Sequence, residues 1–553
     1  MSRAIRKTYG VPTPVASAAF LWYPGPRSRG HAGRVRDARM ARPEALMLAT
    51  WLLAAFPVLV LVLLTVGLGW PASRAGPAGW LAAAVVAVAG FEAGPAVLAV
   101  AQGKAFFLAL DVLLIVWAAY LLYRVVDAAG GVATLAAALP RLAPERGMQA
   151  LLIAWSFASF LQGVGGFGVP VVVTAPILVG LGFDPVTAVV APSLGHAWSV
   201  TFGSLGSSFQ ALMASSGFPG PAMARQSAAL LGAACVVTGW IVLRLVRGGR
   251  RWIAPALVMG VVMAAAQFAL AAAGLWQIAG FGGGLAGLAT GVVAARLART
   301  RSAAPTSPVP LRDIALALAG YALLVLVTLA VQFVEPVRDA LGAVVVGATF
   351  PEVSTGLGVT TPAGAGKELV LLRHAGAILA YTSLLTLLIL RRFRALPAGA
   401  APRIVSATAR GVLGSSLAIL SMTAMVSTMS HAGMTDVLAR GLAQVSGRAF
   451  PLIAPWIGAL GAFVSGSNTS SNLLFGMLQA RTAQVLGLSL AWILAAQTAG
   501  GALGSVLSPT KVSVGAASAS AGAQEGRILR GVLRYAAPLL LGLGLLAWIG
   551  AGG

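Results

Sequence analysis

The sequence predicts an all-α polytopic membrane protein of about 12–14 transmembrane helices, with two re-entrant or broken-helix elements set in an inverted repeat. Three observations predict it. Of 553 residues, 58% are hydrophobic and only 9% are charged, whereas soluble domains carry about 25% charged residues. The chain exceeds the roughly 250–300 residues that one water-soluble core supports, and apolar runs of spanning length recur along it. Two distant segments also interrupt the spanning pattern in the same way.

The charge balance, 38 Lys+Arg against 14 Asp+Glu, would suggest nucleic acid on a soluble protein. Here the charges lie between apolar runs, so they orient the chain in a lipid bilayer and no nucleic acid is expected. Lysine is scarce: Lys7, Lys104, Lys367 and Lys511. The lone Cys235 excludes an internal disulfide and any cysteine-based metal or redox site. No metal and no cofactor are expected.

Residues 1–43 form a basic N-terminal tail, expected to be disordered or not translated, with Met40 or Met47 as alternative starts. Residues 44–553 form the transmembrane domain, with a first repeat over about 79–300 and a second over about 312–553. Apolar runs place spans at 45–69, 79–101, 105–125, 186–203, 227–246, 252–273, 275–295, 313–334, 368–390, 411–430, 486–507 and 533–551. Ser302–Pro310 reads as the linker. Arginines cluster at 244–251, 296–312 and 391–410. All three clusters face the cytoplasm if 313–390 crosses an even number of times, with 355–366 as a re-entrant break.

The first interrupted segment is Met148–Leu181. Its arm Met148–Leu161 is 14 residues, about 21 Å as helix and too short for a core of about 30 Å. Gln162-Gly163-Val164-Gly165-Gly166-Phe167-Gly168 follows, then a second short arm. The other segment is Pro451–Ala480, where a 14-residue arm runs into the eight polar or small residues Ser465–Asn472. Phe160-Leu161-Gln162-Gly163 aligns with Phe463-Val464-Ser465-Gly466, 303 residues later. Paired interruptions of this kind point to a transporter binding site.

Backbone without a helical partner cannot face lipid, so both breaks must be buried or line a wet cavity. Glycine permits close approach of a ligand, and half-helix N-termini offer N–H groups and a positive dipole end. These features suit a carboxylate. Gln162 with Gly163, Gly165, Gly166, Phe167 and Gly168 would form one wall of the site. Ser467, Asn468, Thr469, Ser470 and Asn472 would form the other, with Lys511 placed to meet the anion. Ionisable residues within apolar runs are candidates for proton coupling: Asp111, His196 and His374. Glu92 and His431 lie nearer helix ends. Lys367, Glu368 and Arg373 would pair along a helix. No Walker lysine motif, nucleophile elbow or His-Glu-x-x-His is present, which argues against an enzyme.

Phe160 to Pro170 with Leu178 to Phe183, Gly466 to Phe475, and Gln497-Thr498-Ala499-Gly500-Gly501 running to Leu507-Ser508-Pro509 together resemble the bacterial L-lactate permease family over about 45–550. The resemblance implies a proton-coupled carrier of lactate, glycolate and similar 2-hydroxymonocarboxylates in the inner membrane, built as an inverted repeat with re-entrant elements. The chain departs from that pattern. Typical members carry Glu where Gln162 stands, Asp where Asn468 stands, and Lys near Ser505. A proton would then be carried by Asp111 or a histidine, or another ion, sodium for instance, would drive uptake. The expected function is secondary active transport of L-lactate, D-lactate or glycolate by proton symport, with room for a homo-oligomer. A carrier or exporter of another organic anion, and a non-transporting receptor on a transporter fold, are the alternatives.

Overall fold

The computed structural model describes residues 44–142, 145–166, 168–298 and 310–552. The basic tail, Phe167 and linker residues 302–309 lie outside them. The chain opens with α1 (Glu44–Val62), which widens into a π-helical turn, Leu63–Gly67. α2 (Ala72–Phe91), α3 (Pro95–Ala128) and α4 (Gly131–Leu142) follow. α5 (Arg146–Ala150) runs through a π-helical stretch, Leu151–Phe157, into α6 (Ala158–Val164). Then come α7 (Val169–Gly180), α8 (Pro185–Ala197), α9 (Ser207–Ser216), α10 (Gly220–Leu245), α11 (Ile253–Ala272), α12 (Trp276–Leu297), α13 (Leu311–Phe333) and α14 (Glu335–Gly342). Six two-residue strands, β1 to β6, lie between Val345 and Val370. The chain ends with α15 (Ala375–Arg392), α16 (Ala400–His431), α17 (Met434–Ser446), α18 (Phe450–Ser465), α19 (Asn468–Leu486), α20 (Leu490–Ser505), α21 (Pro509–Ser518) and α22 (Glu525–Ala551).

Among the described residues, 12 helices are long and apolar enough to cross a membrane, or 13 if α20 and α21, bent by 41° at their junction, count as one span. The expected all-α polytopic class therefore holds. Several expected boundaries move, each for a local reason. The spans expected at 79–101 and 105–125 are divided at 92–94 instead. Glu92 takes a left-handed conformation as C-cap of α2, and Gly94-Pro95 starts α3. The run 186–203 is not one span, since α8 stops at Ala197 and a turn precedes α9. The arm expected at Met148–Leu161 extends over Arg146–Val164 and is buried from Gly147 to Val164, with Arg146 exposed at its start. It touches protein on all sides, so the length needed in lipid does not govern it.

The expected re-entrant break at 355–366 is instead the tip of an antiparallel ribbon. Val345 pairs with Val370, Thr349 with Ala365 and Val353 with Thr361. Threonine and valine favour extended backbone, and Gly358 turns the tip with φ +81°. Lys367, Glu368 and Arg373 therefore lie on the ribbon and the turn after it, not along a helix. The ribbon leaves two candidate spans between Leu311 and Arg392, the even number that puts all three arginine clusters on one side.

Helix starts at 72, 95, 131, 146, 169, 185, 207 and 220 recur at 375, 400, 434, 450, 468, 490, 509 and 525, a spacing of 299–305 residues. The counterparts α3 and α16 run antiparallel. Gln102 donates to Thr428 (2.9 Å) near the start of α3, and Trp117 donates to Ser416 (2.9 Å) further along it. The second series is thus inverted relative to the first.

Small residues let the helices touch backbone to backbone, as packing within a bilayer requires. A Cβ on Gly458 would strike the Gln497 carbonyl, one on Gly500 the Pro455 carbonyl, and one on Gly504 the Ala459 carbonyl. These three glycines set the spacing of α18 and α20. Replacing Gly500 or Gly504 by Val should destabilise the protein by about 1–3 kcal/mol or more, read as a lower unfolding temperature in detergent. Gly542→Val, at a position with nothing within 4 Å, should leave that temperature nearly unchanged.

Candidate functional site

The interruptions meet at one cavity of about 430 Å³. The first turns of four short or half-helices line it: Gly168 ahead of α7, Ser207 and Ser208 of α9, Asn468 to Ser470 of α19, and Thr510 and Lys511 of α21. Gly168 (φ +87°) and Gly206 (φ +83°) supply the left-handed residues that let the chain turn into α7 and α9. Ser467 caps α19, its hydroxyl accepting the Ser470 N–H at 3.4 Å. Ser508 precedes α21 and shares a 2.9 Å hydrogen bond with the Thr510 hydroxyl. Each N-terminus presents the positive end of its helix dipole to the cavity. Lys511 and Arg410 are the cations in the described lining, which holds no carboxylate.

The polar break read at 465–472 is shorter than expected. Only Gly466 and Ser467 are non-helical, and Asn468 to Asn472 form the opening turn of α19. The side-chain oxygens and amides stand together on this turn, and helix placement sorts them. Asn468 and Thr469 line the cavity. Asn472 points into the protein and donates to the Ser208 carbonyl (2.8 Å) and the Thr498 hydroxyl (2.9 Å). Asn468 donates to Thr201 (3.2 Å) and Thr498 (3.3 Å), while Ser208 and Thr469 share a hydrogen bond of 3.0 Å. These bonds tie α9, α19 and α20 together around the site.

The glycine run divides likewise. Gln162 lies in the wall, 3% exposed, and its Oε1 has no hydrogen-bond partner among the described residues. Gly163 packs on the backbone of Phe281, and Gly165 on the ring of Tyr123. Gly166, at φ +58°, makes the turn beside Ser204. Of the run, Gln162 and Gly168 reach the cavity; Phe167 is outside the described residues.

Asp111 and His374, candidates from distant parts of the sequence, meet. Asp111 is 1% exposed in the middle of α3. Its Oδ1 lies 2.9 Å from His374 Nε2, and its Oδ2 accepts from Gln210 Nε2 at 2.7 Å, with Lys367 Nζ at 4.0 Å. The Gly376 N–H donates to His374 Nδ1 (3.1 Å). That bond leaves the neutral ring's proton on Nε2, where it is donated to Asp111. This cluster does not line the cavity, but Gln210 stands on α9 just after Ser207 and Ser208, which do. His196 joins neither group; its Nδ1 lies 2.6 Å from the Pro192 carbonyl. Glu92 uses its carbonyl to accept the Gly356 N–H of the ribbon tip at 3.0 Å.

Sequence reasoning missed Arg410, read only as part of a topology cluster, together with Gln210 and the serines of α9. The serines had a signal in Gly203-Ser204-Leu205-Gly206-Ser207-Ser208, which has the small and polar composition of 465–472.

Comparison with known proteins gives a consistent result. The L-lactate permease of Bacillus subtilis (strain 168) is 28% identical over 467 residues, covering 76% of this chain and 81% of that protein. Glycolate permease GlcA of Escherichia coli (strain K12) is 28% identical over 462 residues, with the same two coverages of 76% and 81%. A putative L-lactate permease of Haemophilus influenzae is 26% identical over 462 residues, covering 79% of this chain and 85% of that protein. Among solved structures, the YdaH transporter of Alcanivorax borkumensis matches with a TM-score of 0.43 and 14% identity, over 79% of this chain and 84% of that one. The profile of the L-lactate permease family matches residues 50–551, and the chain belongs to that family.

Proposed function

We propose that this protein carries a small 2-hydroxymonocarboxylate, L-lactate or glycolate in kind, across the bacterial inner membrane by proton symport. One observation carries the reading: four helix N-termini and two cations face a single cavity whose described lining holds no carboxylate. An anion is the ligand such a site stabilises, and a helix N-terminus binds a carboxylate through N–H groups that have no partner in their own helix. Gln162 adds a preference for the hydroxyl. Its unpartnered Oε1 accepts a hydrogen bond, which a 2-hydroxyl can donate and a plain carboxylate cannot. The names of the Bacillus and Escherichia relatives agree with this class of cargo. Lys511 serves in place of the family lysine, because Ser505 is buried and donates to the Ala502 carbonyl.

Coupling falls to Asp111 and His374 rather than His196. As a carboxylate, Asp111 accepts from Gln210 and His374 while facing Lys367. A proton on either oxygen turns an acceptor toward a group that is itself a donor. The contact between α3 and α9, or between α3 and His374 ahead of α15, must then rearrange. Since α9 also lines the cavity, proton uptake and substrate binding act on the same helix. The recurrent helix order supports a repeat used twice, with α11 to α14 joining the copies.

Two outcomes follow. Lys511→Met should raise the half-saturating L-lactate concentration about tenfold or more, the cost of losing a charged hydrogen bond, in uptake by proteoliposomes. If affinity is unchanged, Lys511 does not meet the carboxylate. Asp111→Asn should abolish accumulation driven by an imposed pH gradient while leaving L-lactate exchange across the membrane intact. Gradient-driven accumulation equal to the parent's would place coupling elsewhere.

A further inference from the structure

A second cavity, of about 100 Å³, lies between α3, α9, α16 and α19, nearer the ribbon end. Its volume is about that of three waters in the liquid, enough for a carboxylate of two or three carbons. Lys104 and His431 are the basic groups in its described lining, which again holds no acid. Lys104 forms no ion pair among the described residues; its ammonium sits 5.9 Å from the Phe350 ring of the ribbon. The hydroxyls of Ser427 and Ser215 donate to the carbonyls of Ala101 and Asn472, each at 2.7 Å. The Ser430 hydroxyl has no partner among the described residues, so Lys104 and Ser430 hold the uncommitted donors.

The two cavities are stacked along one path. On α9, Ser208 lines the central cavity and Ser215 the smaller one, seven residues or about 10 Å apart. On α16, Ile419 lines the first and Thr423 the second. Between them the four helices close on one another through the buried apolar residues Val112, Ala211, Ile419 and Leu473. The central cavity reaches Arg410, near the arginine-rich start of α16, and the smaller one reaches His431 at that helix's other end.

We propose that Lys104 and Ser430 form an outer staging site for the small carboxylate, and that the Val112, Ala211, Ile419 and Leu473 layer separates it from the central site. The proposal rests on reading the central cavity as a carboxylate site. A lysine with no acidic partner, an unused hydroxyl and a cavity of matching size on the same path have the chemistry of an anion site. The arginine distribution puts this end of the bundle outside the cell.

The test uses Ser430→Cys in a Cys235→Ser background, since the native thiol is buried. Right-side-out vesicles are treated with an anionic, membrane-impermeant thiol reagent, with and without L-lactate; L-lactate uptake is measured in parallel, and a single symmetric gel-filtration peak in detergent shows that each variant is folded. L-lactate at ten times its half-saturating concentration should slow labelling about tenfold. Protection should vanish on adding Lys104→Met, return with Lys104→Arg, and survive Lys511→Met. Protection that survives Lys104→Met but is lost with Lys511→Met would arise from the central cavity and overturn the proposal. Uptake without any protection would overturn the outer site alone. Absence of both uptake and protection for L-lactate and glycolate would overturn the carboxylate reading as well.

Discussion

A helix interrupted at membrane depth exposes N–H and C=O groups that lipid cannot satisfy, and this constraint organises the whole protein. The chain interrupts itself after Val164, Ala197, Ser465 and Ser505. Each interruption has to be wrapped in protein. That need explains why the span Arg146–Val164, apolar enough to cross, is buried at every residue from Gly147 to Val164. It also explains the glycines of α18 and α20, where a Cβ would strike a carbonyl of the neighbouring helix. Tight packing outside the breaks is what allows unpaired N–H groups to persist inside them, facing the cavity.

Much of this was legible in the sequence. The apolar runs gave the class, and the paired Gly-rich and Ser/Asn-rich stretches located the cavity through Gln162, Gly168, Ser467 to Ser470 and Lys511. What misled was the use of one length rule for every apolar run. That rule holds for helices in lipid, but residues 147–164 are buried within the protein. The 355–366 stretch was misread because glycine and threonine mark both a re-entrant break and a β-ribbon, and only the pairing of Val345 with Val370 separates them. Asn472 was read as a ligand group because the sequence does not say how far down a helix face the cavity reaches; it shares that face with Asn468, and both donate to the Thr498 hydroxyl. Four positions beyond Asn468, it turns its amide to the Ser208 carbonyl and holds α9 in place.

Amides rather than acids at Gln162 and Asn468 have a physical meaning in this geometry. Both amides line the cavity that receives the four helix N-termini. A carboxylate at either position would be attracted to the same dipoles and to Lys511, in competition with an anionic ligand. With amides there, the positive field of the cavity is left for the ligand. Asp111 stands away from the cavity and is surrounded by donors from Gln210, His374 and Lys367.

That separation raises the question of how two sites can influence each other, and α9 is the physical link. It has ten residues, about 15 Å of helix, too short to bend appreciably between its ends. Its first turn lines the central cavity through Ser207 and Ser208, and Gln210 holds Asp111. Near its other end, Ser215 donates to the Asn472 carbonyl of α19 and borders the second cavity. A displacement at any one of these contacts is shared by the others, because a hydrogen-bonded helix moves as a unit. Coupling between a proton on Asp111 and an anion at the N-termini therefore needs no direct contact between them. It requires only that α9 have two positions of similar energy, one favoured when Asp111 accepts from Gln210 and the other when it cannot.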